Sequence, residues 1–296
     1  LNVSRSYLQS DANVKKISTY ITKKVADRLE EIFKEQREQY EQKWDNIKLF
    51  IEYGMLSDEK FCERAMKFTL LKNTDGKYFS IDDYRKAIEP AQTDKDKKLI
   101  FLYATDSEKQ YFFIDAAKNQ GYDVLLMDCE LDSHFVNLLE SKLENVRFAR
   151  VDSDSVDKLI QKEDEVKLEL SEDDKKSLDE MFKSVLPQGN EYTVEARNLG
   201  ETAVPVLITQ NEFMRRYREM SAMGGGMNFY GSIPESYNII VNMQNPLVAK
   251  IWNDRAVEGD NDLLRQVVDL ALLSNGMLKG KDLSDFVARS EKLLGK

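Results

Sequence analysis

LIFLYATDSEKQYFFIDAAKNQGYDVLLMDCELDSHFVNLLESKLENVRFARV, residues 99–151, is the stretch on which the fold turns. Leu99–Tyr103 is an unbroken apolar run, short enough for a buried strand, and Val124–Met127 and Val146–Val151 repeat the pattern. Between them, Ser107–Asn119, closed by Gly121, and Asp132–Leu143 read as helices. Strand, helix, strand, helix, strand predicts parallel pairing with right-handed crossovers, because parallel neighbours need a connection long enough to return. The stretch is read as a small α/β layer.

Upstream, the chain is helical. Val14, Ile17, Ile21, Val25, Leu29 and Ile32 recur at spacings of three and four, making one face of a long helix apolar. Tyr40, Trp44, Ile47 and Ile51 continue the pattern until Gly54, which is read as a stop. A helix after Ser57 carries Phe61, Ala65, Phe68 and Leu71 on its buried side. Ser80 and Asp83 form a capping box for a short helix expected to end before Pro90. Downstream, residues 152–180 hold 12 acids against 5 bases, a shift that marks a solvated surface connection. The rest is α+β. Ser171 caps a helix to about Leu186, and candidate strands cover 192–199, 204–208 and 237–243. A helix spans about 211–222, before Gly224-Gly225-Gly226. Pro246 suits the first turn of a short helix, and two last helices cover about 261–275 and 281–294. The fold class is therefore α/β plus α+β: a helical segment with a small parallel βαβαβ layer, then an α+β domain ending in a helix pair. The division expected is 1–155, an acidic connection over 156–170, and 171–296.

Composition narrows the function. The 296 residues are 42% hydrophobic with 5 Pro and 13 Gly, which is a core-forming chain. Lys+Arg 43 against Asp+Glu 53 leaves a net charge of −10, so a nucleic-acid partner is not expected. Two cysteines cannot build a disulfide framework, and a cytoplasmic location follows as the expectation. No apolar run approaches the roughly 20 residues that span a membrane, so no membrane partner is expected either. The chain starts at Leu1 rather than Met and reads as a piece of a longer protein. The Ala104–Ser107 loop has no glycine to admit a phosphate, and Gly224-Gly225-Gly226 lacks the Lys-Ser/Thr of a phosphate loop and is read as a hinge. Cys62 and Cys129 are read as inert core thiols, His134 as a surface residue, and no metal site is expected. No self-contained active site emerges.

Two features depart from an ordinary surface. Phe213, Tyr217 and Met220 fall on one face of a helix at i, i+4 and i+7, widened by Met214 and Met223. Two readings stay open: the stripe faces the domain core, or it is an adaptable surface for a partner. In the terminal pair, Leu263, Leu264, Val267, Val268, Leu270, Ala271, Leu272 and Leu273 occupy most of one helix's circumference. Burying that surface predicts a homodimer through a four-helix bundle, with Leu264, Val267, Val268, Ala271, Phe286, Val287 and Leu294 at the interface.

The opening Leu1-Asn2-Val3-Ser4-Arg5-Ser6-Tyr7-Leu8-Gln9 resembles a motif of the ninety-kilodalton heat-shock chaperone family, bacterial HtpG type, and the likeness runs in order along the whole chain. The resemblance implies the later middle domain and the C-terminal dimerisation domain of an ATP-driven chaperone that assists folding. It implies that Arg5 and Gln9 act on ATP held, with Mg, by a domain preceding Leu1, so that this stretch alone is not an enzyme and needs no cofactor. Ser6 stands where the family has glutamate, and His134 where it often has an aromatic residue. Phe213, Met214, Tyr217, Met220 and Met223 match its client-binding helix, so unfolded proteins are the partners implied. From the residues alone, the rival reading is a constitutive scaffold dimer binding a partner through 213–230.

Overall fold

A computed structural model describes residues 12–163, 168, 170–223, 235–256 and 262–295. The apolar stretch at 99–151 is a three-stranded parallel sheet: β3 (Leu99–Ala104) lies between β4 (Val124–Leu126) and β5 (Val146–Arg150), with Leu102 opposite Val124 and Phe101 opposite Phe148. All six β3 residues are buried, which explains the absence of alternation in their sequence. Their side chains nevertheless divide by parity. Phe101 and Tyr103 join the core of the N-terminal helices, whereas Ile100, Leu102 and Ala104 join a second core on the other face.

The first core is built by α1 (Ala12–Glu35), α2 (Arg37–Ser57), α3 (Glu59–Ala65) and α4 (Ile81–Gln92) together with α6 (Asp132–Lys142). Tyr84, Phe101 and Phe148 run through it, with ring centroids 5.0 and 4.9 Å apart. Only the later part of the α1 stripe takes part: Leu29 and Ile32 pack on the core, while Ile17, Ile21 and Val25 are exposed. Three expectations are corrected here. Phe68 and Leu71 do not continue α3. The chain turns instead into a hairpin of β1 (Leu70–Lys72) and β2 (Tyr78–Ser80), whose turn is held by Asn73 Oδ1 accepting from the amides of Asp75 and Lys77. Helix α4 runs through Pro90 to Gln92, so the amide hydrogen bond lost at the Lys86 carbonyl and the crowding by the ring are confined to the final turn, and Ser80 caps the helix as expected.

Gly54 is the third correction: it does not stop α2, which continues to Ser57. A Cβ at Gly54 would meet Cε1 of the Phe61 ring at 2.7 Å, so the glycine is there to let α3 fold back closely.

The second core takes α5 (Tyr111–Asn119) against the sheet, with Phe113, Ile114 and Ala117 buried. The acidic connection is less solvated than its charge suggests. It includes a helical turn, α7 (Val156–Leu159), and buries Leu159 and Ile160 in this core. Beyond it come α8 (Glu172–Lys183), β6 (Glu191–Arg197), β7 (Val206–Thr209), α9 (Glu212–Met223), β8 (Ser236–Asn242), α10 (Pro246–Asn253), α11 (Asp262–Ser274) and α12 (Gly280–Leu294). Strand β8 is central, parallel to β6 and antiparallel to β7. Ile239 and Val241 face a third core with α8, α10, α11 and α12, while Ile240 and Leu207 reach the second core under the α/β layer. The fold class is thus an α/β layer followed by an α+β unit, as expected.

Gly54→Ala should lower stability by about 1 kcal/mol, since overpacking against Phe61 costs about 1–3 kcal/mol and the helix gain returns about 1. Urea unfolding should show a lower midpoint, restored when Phe61→Leu is added. A midpoint raised by Gly54→Ala alone would contradict the close-contact role.

Candidate functional site

Helix α9 carries the most unusual surface. Its first turn is held by side chains of the α/β layer. One oxygen of Glu212 accepts from the Tyr103 hydroxyl at 2.6 Å, from Arg215 at 2.8 Å and from Arg216 Nε at 2.6 Å. Arg215 also donates to the Tyr103 oxygen at 2.6 Å. Arg216 extends the network to Glu140 at 2.8 Å, Asn137 at 3.1 Å and the carbonyl of Phe148 at 3.0 Å. Just upstream, Arg150 bridges Asp152 and Gln210, and Asn211 accepts from the Met214 amide as a cap. The charged face of α9 therefore points inward.

The opposite face points out. Phe213 is 75% exposed and Tyr217 52% exposed, while Met214 is half-buried. The two aromatic rings line an open cleft of about 780 Å³, whose other walls include Asn137, Arg147, Ser153 and Asp154. Of the two readings the sequence left open, burial of Phe213 and Tyr217 in the domain core is overturned by their exposure. The side chains of Met220 and Met223 lie outside the described residues, as do Arg5, Gln9 and all of 224–234.

Electrostatics follow the geometry. Burial works to raise the Glu212 carboxyl, but Arg215, Arg216 and the Tyr103 hydrogen bond outweigh it and hold it below the usual carboxylate range. Burial, joined by the charge of Glu212, raises the Tyr103 hydroxyl well above the phenol range. This hub was not found from the sequence. The available signal was Glu212 with Arg215 and Arg216 at i+3 and i+4, an ion-pair spacing on the face opposite the aromatic stripe.

The terminal helix pair differs in detail from expectation. Leu264, Val267, Val268, Ala271 and Phe286 are all buried within this chain, because α8, α10 and the β6–β8 sheet cover α11. Burying these five residues therefore does not require a second copy of the chain. Among the residues named earlier, Val287 and Leu294 are exposed, and Leu270, Leu273 and Leu293 join them. Gln266 donates to Ser290 at 2.7 Å, and Arg289 pairs with Asp269, so the two helices are fixed to each other by polar bonds.

Four amides of the loop after β3 are already bonded within the loop. The amides of Thr105 and Asp106 donate to Gln110 Oε1 at 2.7 and 3.0 Å, and those of Glu108 and Lys109 donate to Asp106 Oδ1.

The family profile described as Hsp90 protein matches residues 1–296. The chain belongs to the Hsp90 protein family. The chaperone protein HtpG of Porphyromonas gingivalis is 42% identical over an alignment covering 99% of this chain and 53% of that protein. HtpG of Bacteroides fragilis is 43% identical with the same coverage, and HtpG of Ruthia magnifica is 27% identical over 99% of this chain and 46% of its own length. This Hsp90-family chain thus spans about half the length of the curated relatives it matches. Among its described residues, no helix is long and apolar enough to cross a membrane.

Glu212→Gln should destabilise the Hsp90-family chain by about 2–3 kcal/mol at pH 7, because it removes the charged oxygen shared by buried Arg215, Arg216 and the Tyr103 hydroxyl, while Arg216 keeps Glu140. A carboxyl held below its ordinary value stabilises above that value and loses the contribution as pH falls through the lower one. The gap between wild type and variant should therefore close as pH drops below about 4. Urea midpoints across that range check this, and a gap independent of pH would contradict it.

Proposed function

We propose that this chain is the client-contacting, dimerising half of an ATP-driven chaperone, with 1–155 as later middle domain, 156–170 as connection and 171–296 as dimerisation domain. The observation that carries the reading is the inverted amphipathicity of α9: charges bonded inward, Phe213 and Tyr217 exposed over an open cleft. A helix held by its polar face presents apolar surface at no cost in local order, and non-directional contacts to rings and thioethers tolerate varied sequences. By spacing in the sequence, Met214, Met220 and Met223 belong to the same stripe. Membership of the Hsp90 family, and relatives named as chaperones, support the same assignment.

ATP with Mg belongs, in this reading, to the part of the longer protein not spanned here. Four amides of the β3 loop are already bonded to Gln110 and Asp106, and the loop has no glycine to admit a phosphate. Arg5 and Gln9 are the residues this chain would send to that nucleotide. A guanidinium at Arg5 would stabilise charge on the phosphoryl group, and the amide at Gln9 would orient groups beside it. The cytoplasm is the expected compartment.

Dimerisation is assigned to the exposed apolar residues of α11 and α12, Leu270, Leu273, Val287, Leu293 and Leu294. Leu264, Val267, Val268, Ala271 and Phe286 support that face from beneath rather than across it. Sedimentation should find dimers at micromolar concentration, and Leu273→Glu with Val287→Glu should give folded monomers. A wild-type chain that is monomeric at that concentration would contradict this assignment.

For client contact, Phe213→Ser with Tyr217→Ser should weaken binding of a permanently unfolded, reduced and alkylated protein by about tenfold or more. Dimerisation and melting temperature should change little, since both side chains are exposed. Unaltered binding would sink the assignment.

A further inference from the structure

A second cluster lies away from α9, where α2 meets the start of α6. Lys48 and Glu52 project from α2, and Asp128, Cys129 and Asp132 come from the turn after β4 and the first residue of α6. Glu52 is 0% exposed, and neither of its carboxylate oxygens accepts a hydrogen bond. Asp132 is 4% exposed. Its Oδ2 accepts from the Cys129 amide at 2.7 Å and from Lys48 at 3.2 Å, but its Oδ1 has no partner. Three buried carboxylate oxygens thus have no nitrogen donor, the Glu52 carboxyl facing only the Cys129 thiol and the Asp132 carboxyl beside Lys48, an arrangement native interiors rarely leave uncompensated.

Positive charge is equally short. One ammonium, Lys48, lies 3.2 Å from Asp132, 3.4 Å from Asp128 and 3.9 Å from Glu52, so a single cation serves three carboxylates. The Cys129 sulfur and one oxygen each from Glu52 and Asp132 lie within 4.8 Å of one another. We propose that Glu52, Cys129 and Asp132 are the protein ligands of a divalent transition-metal ion of zinc type, which competes with the Lys48 ammonium for the same carboxylates.

The donor set selects the ion. A thiolate with two carboxylates, three ligands in all, suits a borderline ion in tetrahedral geometry with one position left for water. Calcium and magnesium prefer more ligands, all oxygen. Metal–ligand bonds of about 2.0–2.3 Å place tetrahedral ligands about 3.5 Å apart, so atoms already within 4.8 Å of one another need to close by little more than about 1 Å at most. Lys48 can move outward without losing its countercharge, because Asp128 is 58% exposed at the rim. On binding, the thiol of Cys129 gives its proton to solvent and sulfur donates its electron pair to the metal. The ion would tie α2, and with it the helical segment, to the α/β layer.

Titration of the purified chain with Co²⁺ tests this. One equivalent should bind per chain with a thiolate-to-cobalt charge-transfer band in the near ultraviolet, and Zn²⁺ should abolish the band by displacement. Cys129→Ser should remove the band and weaken binding at least about tenfold, Lys48→Met should strengthen it, and Cys62→Ser should leave it unchanged. In the unmodified chain, Zn²⁺ should slow alkylation of Cys129 at least about tenfold, a readout that needs no variant to fold. No charge-transfer band, a band that survives Cys129→Ser, or an alkylation rate indifferent to Zn²⁺ would overturn the site.

Discussion

One carboxylate oxygen of Glu212, receiving donors from Tyr103, Arg215 and Arg216, decides which way α9 faces. Turning the helix over would bury Phe213 and Tyr217, a gain of about 1.5–3 kcal/mol each. It would also strand Arg215, Arg216 and the Tyr103 hydroxyl among apolar neighbours, and breaking a buried ion pair costs about 3–5 kcal/mol by itself. Several charge-assisted bonds are at stake, so the polar face goes in. The exposed stripe is therefore not a defect of packing. It is what remains when electrostatics claims the other side of the helix.

The hub depends in turn on the α/β layer, because Tyr103 is on β3, and Glu140 and Phe148 are on α6 and β5. Burial of β3 on both faces makes that layer a stiff platform. The N-terminal helices pack on the side of Phe101, while α5, Leu207 and Ile240 pack on the side of Leu102. Through this sharing the C-terminal sheet and the α/β layer meet in one continuous apolar cluster. Arg197 paired with Asp154 at 2.5 Å fixes β6 to the connection at the same junction. Leu159 and Ile160 anchor that acidic segment in the shared core.

The sequence was most legible where burial is total. Leu99–Ala104 and its two partners read as strands because an unbroken apolar run of that length has few alternatives, and their parallel order followed from the intervening helices. Residues 70–80 were illegible for the opposite reason: two three-residue strands depend on the Asn73 side chain, which no periodicity reveals. Gly54 looked like a helix end because its actual reason, the Phe61 ring, is tertiary. On α11, spacing identified the apolar residues but not what covers them, so Leu264 and Val268 read as interface when the chain's own sheet and helices bury them. An amphipathic stripe likewise has the same period whether it faces in or out. Partners far along the chain, Tyr103, Glu140 and Phe148, tell the two apart on α9. Glu52, Cys129 and Asp132 escaped notice because no local motif joins position 52 to position 129.

On the function proposed above, α9 would offer its aromatic face to unfolded protein from a rigid, charge-anchored base. Hydroxyl-radical footprinting reads this directly, with Phe50 and Tyr53 as exposed controls and Phe101 and Phe148 as buried ones. In the free chain, Phe213 and Tyr217 should react as fast as Phe50 and Tyr53. Addition of an unfolded protein should then protect Phe213 and Tyr217 while Phe50 and Tyr53 keep reacting. Rates at Phe213 and Tyr217 matching those of Phe101 and Phe148, or no protection on adding the unfolded protein, would contradict it.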